Sequence, residues 1–420
     1  LYIVYYILYI MHYILCIILF ATLYADMPDS PLLAGFVNEL DEKFTEIITN
    51  SGQCKLQIIY NQINRDENNN PIFETHTFRF SPREYFYPAS TIKFPIAVLA
   101  LEKLNSINVV NRNTPLSIFS GLKGLEGVSS DPTSNTGLPS ITHYIHKLFV
   151  VSDNDAFNRL YEFLGRDQIN QRLWDLGFIE TRIRHRLSIA LSEEQNRYSN
   201  AFRFYNQDKI IFEQLSQKAQ LYLDINYDDY FIGKANIKGG NRIQEPLDFS
   251  GKNFMNLWEQ HHFLQAIIFP NFLNNNSLLN LTDEDYQFLY REMSILPRES
   301  LVLAYNDYGH YSDGHGKFIL YGDSKDRIPD NVRIFNKVGM AYGFVLDNAY
   351  VIDFENKVEF LLSAVVYVNH NETLNDNKYE YDELSLPFMA ALGKIVYEYE
   401  LSRAKKHLPV FNRFNLGYWP

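Results

Sequence analysis

Cysteine is nearly absent: the 420 residues hold two, Cys16 and Cys54. Cys16 lies in an apolar N-terminal run, behind a Leu15 too bulky for a lipoprotein site. Cys54 is therefore alone in the body of the chain, which excludes an internal disulfide and a cysteine metal cluster there and leaves Cys54 as a buried thiol on a strand. Charge is missing altogether from residues 1–25, the first charged side chain being Asp26. The run Tyr13-Ile14-Leu15-Cys16-Ile17-Ile18-Leu19-Phe20 reads as the apolar core of an export signal starting near Met11, with small residues at Ala21 and Ala25 before a cleavage point. The same uncharged run is long enough to be an uncleaved membrane anchor. Either reading places the body outside the cytoplasm, in a periplasmic or extracellular compartment, and only the second gives it a membrane partner. Internal repeats and Gly/Ser linkers are also absent, so 26–420 reads as one domain with a long insertion at about 205–330. Basic residues are in the minority, 38 against 50 acidic, for a net charge of -12; such a surface repels phosphate backbones and speaks against nucleic acid as a partner.

Apolar residues are plentiful at 46%, with 30 Tyr and 31 Phe, so the expected core is large and aromatic. Ser30-Pro31 marks a helix start, and Leu33, Phe36, Val37, Leu40, Phe44, Ile47 and Ile48 continue at helical spacing to Gly52. Strand-like runs follow at 55–60 and 72–80 across the polar turn Asn68-Asn69-Asn70-Pro71. Residues 89–176 read as helical. Strands return at 332–338, 349–354 and 358–368, and a final helix covers about 382–404. Strands at both ends with helices between them predict an α/β sandwich whose sheet joins early and late strands, beside a helical lobe.

Three short motifs carry chemistry. In Tyr87-Pro88-Ala89-Ser90-Thr91-Ile92-Lys93, a serine opens a helix and a lysine follows at i+3, on the same face. A serine hydroxyl needs a base to become a nucleophile, and a helix N-terminus stabilises a nearby oxyanion. Burial beside another charge would lower the Lys93 pKa enough for that work. The spacing alone is unspecific: Ser90 serves equally as an N-cap, and Ser120-Gly121-Leu122-Lys123 repeats it in a glycine-rich loop ill suited to a helix. Ser152-Asp153-Asn154 comes next, at a helix start. Ser152 could relay a proton and Asn154 hold an amide, although all three residues also cap helices well. Lys337-Val338-Gly339 then falls on a strand, where a lysine can hold a carboxylate and a glycine lets a substrate backbone approach.

The set Ser-x-x-Lys, Ser-Asp-Asn and Lys-Val-Gly, in this order, resembles the motifs of class A β-lactamases and penicillin-binding proteins. Ser152-Asp153-Asn154-Asp155-Ala156-Phe157-Asn158 and Leu176-Gly177-Phe178 to Thr181-Arg182-Ile183 extend the likeness, which covers roughly 30–200 and 330–403. It implies a β-lactamase-like three-layer α/β/α sandwich with an antiparallel sheet of N- and C-terminal strands and an all-helical lobe. It also implies a serine hydrolase that needs no cofactor or metal. Its substrate would be a β-lactam or a related small-molecule or peptidoglycan-like amide bearing a carboxylate. The alternatives are a DD-peptidase or esterase with slow deacylation, or a catalytically silent sensing module. By position, Ser90 would be acylated, Lys93 would be the base and Ser152 the proton shuttle. Asn154, Lys337, Gly339 and Met340 would bind substrate, with the N–H groups of Ser90 and Met340 as the oxyanion hole.

The chain departs from the pattern twice. Val338 replaces the threonine of the third motif, in a position whose side chain is expected to point away from the site. The Arg-x-Glu-x-x-x-Asn pattern of the deacylating loop is missing from Arg184-His185-Arg186-Leu187-Ser188-Ile189-Ala190-Leu191-Ser192-Glu193-Glu194-Gln195-Asn196, so Glu193 or Glu194 is the candidate base, or both are solvated carboxylates. The 205–330 stretch reads as a lid or a partner surface. Its His261-His262 pair and its His310, Asp313 and His315 match no standard metal spacing.

Overall fold

Pro31 at the first helical position, where the missing N–H costs nothing, starts α1 (Pro31–Asn38). The computed structural model describes residues 27–122, 124–270, 279–307 and 309–418. The expected signal or anchor at 1–25 and Lys123 of the second Ser-x-x-Lys lie outside them. Among the described residues, no helix is long and apolar enough to cross a membrane. The single helix expected over 31–52 is broken, because the Asp41 carboxylate accepts the Lys43 N–H at 2.9 Å and caps a separate turn at Glu42–Phe44. A short helix, Thr45–Thr49, follows.

Two strands come next, β1 (Gln57–Arg65) and β2 (Pro71–Phe78). Their turn is held by Asp66 Oδ1, which accepts the N–H groups of Asn68 and Asn70 at 2.9 and 2.7 Å. Cys54 lies before β1 rather than on it and is half-buried; burial pushes its thiol up to about 11. The helical lobe begins with α2 (Lys93–Ile107), whose Pro95 falls in the first turn, where no backbone bond is lost. It continues with α3 (Ile141–Val150), α4 (Asn154–Leu164) and α5 (Arg166–Asp175). The lobe is not wholly helical. Leu116–Phe119, Ala201–Asn206 and Lys209–Gln214 form a three-stranded antiparallel sheet that packs Phe202 and Phe204 on Phe163 of α4.

The supposed insertion divides in two. Residues 231–248 form small strand pairs, one of which takes in Thr373–Leu374 near the C-terminus. Residues 257–268 and 283–294 are instead core helices, α6 (Leu257–Ile268) and α7 (Asp283–Ser294). Helix α6 lies on the main sheet, with His261 Nδ1 2.9 Å from Ser363 Oγ and Gln260 Oε1 accepting from Asn348 Nδ2 at 2.8 Å. These histidines are structural, and that half of the stretch is no lid.

The meander β3 (Val332–Ala341), β4 (Phe344–Asp353) and β5 (Val358–Tyr367) completes the sheet. Its order is β3-β4-β5-β1-β2, antiparallel throughout, so early and late strands meet as expected. Almost every residue of the meander is buried, because helices cover both faces. The last helix, α8 (Leu386–Ser402), joins α1 on one face, and the lobe covers the other. The β3–β4 connection is a two-residue turn with Tyr342 and Gly343 both at positive φ (56° and 86°). That conformation matches the twist of a hairpin. A side chain at Gly343 would also meet Val368 O at 2.7 Å. The turn thus fixes where the ends of β3 and β4 stand beside the lobe. Phe388 of α8 meets Phe44 edge-on at 5.6 Å between ring centroids and is fully buried. Phe388→Ala is expected to cost about 3–5 kcal/mol in urea denaturation.

Candidate active site

The serine turn is built under strain. Ala89 has φ 49°, a conformation that costs a non-glycine residue on the order of 1 kcal/mol or more. Pro88 O holds it by accepting both the N–H of Thr91 (3.1 Å) and its hydroxyl (2.7 Å). A tight helical turn, Ala89–Ile92, then runs into α2. Ser90 is partly exposed, and Lys93, one turn on, is fully buried.

Lys93 is enclosed by the second motif. Helix α3 ends at Val150 and Ser152 turns back with φ 53°. Asp153 then caps α4 by accepting the Ala156 N–H at 2.7 Å. The Lys93 ammonium donates to the Ser152 carbonyl, to Ser152 Oγ at 3.2 Å and to Asn154 Oδ1 at 2.7 Å. Burial, and then the neighbouring charge of Lys337, hold its pKa well below the usual lysine range, against the pull of Asp153. Lys337 reaches Ser152 Oγ from the other side at 2.9 Å and also donates to Val338 O at 3.0 Å. Burial pushes Lys337 down to about 7, opposed by Asp347. Ser152 Oγ thus joins two buried ammonium groups. No hydrogen bond links Lys93 to Ser90 among the described residues.

Strand β3 lies against the serine turn. A Cβ on Gly339 would stand 2.7 Å from Pro88 O and 3.2 Å from Ala89 Cβ, so only glycine permits this approach. Alternation puts Lys337 and Gly339 on the lobe side of β3 and Val338 on the other, in the apolar layer under α1 and α8. The valine therefore points away from the site.

The loop after α5 is tied to one face of α4 by three side chains at four-residue spacing. Asn154 Nδ2 donates to Ser188 Oγ at 2.7 Å. Asn158 exchanges two bonds with the Leu187 backbone at 2.8 and 3.0 Å. Glu162 Oε1 accepts Arg186 Nε at 2.9 Å with both side chains buried. The result is a cleft of about 460 Å³ lined by Tyr87, Ala89, Ser90, Asn154, Leu187, Ser188, Met340, Ala341 and Tyr342, with Asn375, Asn377, Tyr379 and Tyr381 on its far wall.

The model of the β-lactamase enzyme family matches residues 39–222. Over that stretch the chain is β-lactamase-like. Solved structures similar to it include a β-lactamase from Desulfarculus baarsii, at 15% identity over 87% of this chain and 100% of that one, with a TM-score of 0.46. A class A β-lactamase from Clostridium kluyveri (13%, 84% and 97%, 0.46) and a β-lactamase from Burkholderia ambifaria (12%, 84% and 97%, 0.46) are further ones. No curated protein matches the sequence.

Ser90, Lys93, Ser152, Asn154, Lys337, Gly339 and Met340 converge, and Glu193 and Glu194 do not. Glu193 pairs with Arg166 at 2.7 Å, and Glu194 with Lys218 at 2.5 Å. Both are exposed on a short capped helix, and neither lines the cleft. Counted from the buried Arg186, the residue at the glutamate's spacing is Ser188, which does line it. Reading the pattern from Arg186 would have found Ser188 in the sequence. The tyrosines and asparagines of the 375–381 wall carry no comparable signal. Two other constellations belong to the scaffold. His146 stands between Glu292 (2.7 Å) and Ser300 Oγ (2.8 Å), a serine–histidine–carboxylate row. Ser300 is, however, only 2% exposed and also accepts the Val302 N–H. Asp313 is bound by Arg298 and the Ile328 N–H, and no group of three metal-binding side chains occurs among the described residues. Since Lys337 helps depress Lys93, Lys337→Met is expected to raise the Lys93 titration midpoint, followed by ¹⁵N NMR of its side chain.

Proposed function

We propose that the protein is a serine acyl-transfer hydrolase in which Ser90 forms an acyl-enzyme with an amide or ester, and that it deacylates slowly. The observation that carries this reading is the burial of Lys93 against Ser152, beside the partly exposed Ser90. Burial lowers the Lys93 pKa and so eases the loss of its proton, and the neutral amine that results can accept a proton. In the proposed reaction Lys93 takes the Ser90 proton as Oγ attacks the substrate carbonyl carbon. The N–H groups of Ser90 and Met340 stabilise the oxyanion. The bond to the leaving group breaks, and the proton passes from Lys93 through Ser152 Oγ to the departing nitrogen or oxygen. Water completes hydrolysis of the ester.

Ser188 supports the slow second step. A hydroxyl donates and accepts hydrogen bonds but is no base at neutral pH, so it cannot activate water as a carboxylate does. This favours a penicillin-binding or esterase type of hydrolase over an efficient β-lactamase. A catalytically silent module is favoured by one observation, the missing hydrogen bond between Ser90 and Lys93. Catalytic bonds are often loose in the unliganded state, and an intact-mass time course decides the matter. With p-nitrophenyl acetate, one equivalent of p-nitrophenolate is expected in a burst, with a long-lived acetyl adduct that Ser90→Ala abolishes. A folded protein that gives neither burst nor adduct would establish the silent module. Ser188→Glu is expected to shorten the adduct's lifetime about 10²-fold or more.

A further inference from the structure

The same cleft bears on the substrate. Its lining is four tyrosines, three asparagines, Ser90 and Ser188, with Ala89, Leu187, Met340 and Ala341. None carries a charge at neutral pH. The nearest lysines lie behind this surface: Lys93 is fully buried and Lys337 is 3% exposed. The three ammonium hydrogens of Lys93 match its three acceptors on Ser152 and Asn154, and Lys337 gives two of its own to Ser152 Oγ and Val338 O. Val338 faces the opposite side of the sheet and adds nothing to the lining of the cleft. The whole chain carries a net charge of -12, which disfavours the approach of an anion.

A carboxylate entering this cleft would lose water and gain no exposed cation, a net cost. A neutral amide or hydroxyl would meet partners suited to it. Tyr381 OH already accepts the Gly343 N–H at 2.8 Å, and Tyr379 OH the Asn375 N–H at 3.0 Å, so each phenol keeps its proton to donate. Asn377 is exposed on the rim, and its amide makes no bond to another described residue. Tyrosine hydroxyls with a spare proton and the free Asn377 amide suit uncharged, hydrogen-bonding groups.

We infer that the acyl group delivered to Ser90 is uncharged and rich in amide or hydroxyl groups, and that the cleft selects against a carboxylate beside the scissile bond. This rests on the acyl-enzyme reading above and narrows it, replacing the carboxylate-bearing substrate expected from the motifs.

The test is a matched pair: the p-nitrophenyl monoester of glutaric acid, with a terminal carboxylate, and that of glutaramic acid, with a carboxamide of the same shape. Second-order rate constants for Ser90 acylation are read from the p-nitrophenolate burst at pH 7.5. The carboxamide is expected to acylate at least about tenfold faster, the scale of one uncompensated buried interaction. Met340→Arg, which adds a cation to the rim, is expected to shrink or reverse that ratio. Equal rates, or a faster carboxylate, would overturn the inference. Labelling by a neutral fluorophosphonate separates the two failures. If it modifies Ser90 and the carboxamide has no advantage, only the substrate class is wrong. If it leaves Ser90 unmodified in the folded protein, the acyl-enzyme reading falls and takes this inference with it.

Discussion

The placement of one ammonium group inside the protein governs the rest of the site. A buried lysine without acceptors would cost several kcal/mol. Lys93 is supplied with acceptors by a single turn, Ser152-Asp153-Asn154, that joins two helices. That turn can supply them only because Ser152 adopts a left-handed backbone and Asp153 caps the following helix. Lys337 reaches the same hydroxyl from the sheet. The sheet and the lobe are thus stitched together at Ser152, and an error in the docking of either would leave a buried charge unpaired.

The strain at Ala89 and Ser152 belongs to the same constraint. Two non-glycine residues with positive φ, Ala89 and Ser152, stand on different segments of the site. Each is held by contacts that exist only in the assembled fold: Pro88 O and Gly339 for the first, the Lys93 ammonium for the second. Strain that the surroundings over-determine is stable. It costs energy locally and fixes the direction of Ser90 and of the Ser152 hydroxyl, which a relaxed helix start would leave free.

Much of this was legible in the sequence. The hairpin strands at 55–60 and 72–80, the late strands at 332–338, 349–354 and 358–368, the helix start at Ser90 and the capped turn at Ser152 all follow from periodicity and local hydrogen-bonding chemistry, which act over a few residues. The motif residues came together because they lie on those elements. Elements that depend on distant partners were not legible. The strand Leu116–Phe119 pairs with residues more than eighty positions on, and helix α6 falls in the 205–330 stretch that reads as a lid or a partner surface, since the partners of its polar His261 and Gln260 lie on a distant sheet. Glu193 and Glu194 drew notice as carboxylates near the right place in the chain, but Arg166 and Lys218, from other segments, claim them. The far wall of the cleft, Asn375 to Tyr381, looks like any polar loop until the fold brings it opposite Ser90.

The ladder from α4 to the loop has a consequence for descent. Ser188 is not an idle occupant, since its hydroxyl receives the Asn154 amide whose oxygen in turn receives Lys93. No single base change turns a serine codon into a glutamate codon. A lineage moving toward faster release would have to pass through at least one intermediate residue at this position, and that intermediate would have to keep Asn154 in place. The present arrangement is therefore guarded by the genetic code as well as by its hydrogen bonds.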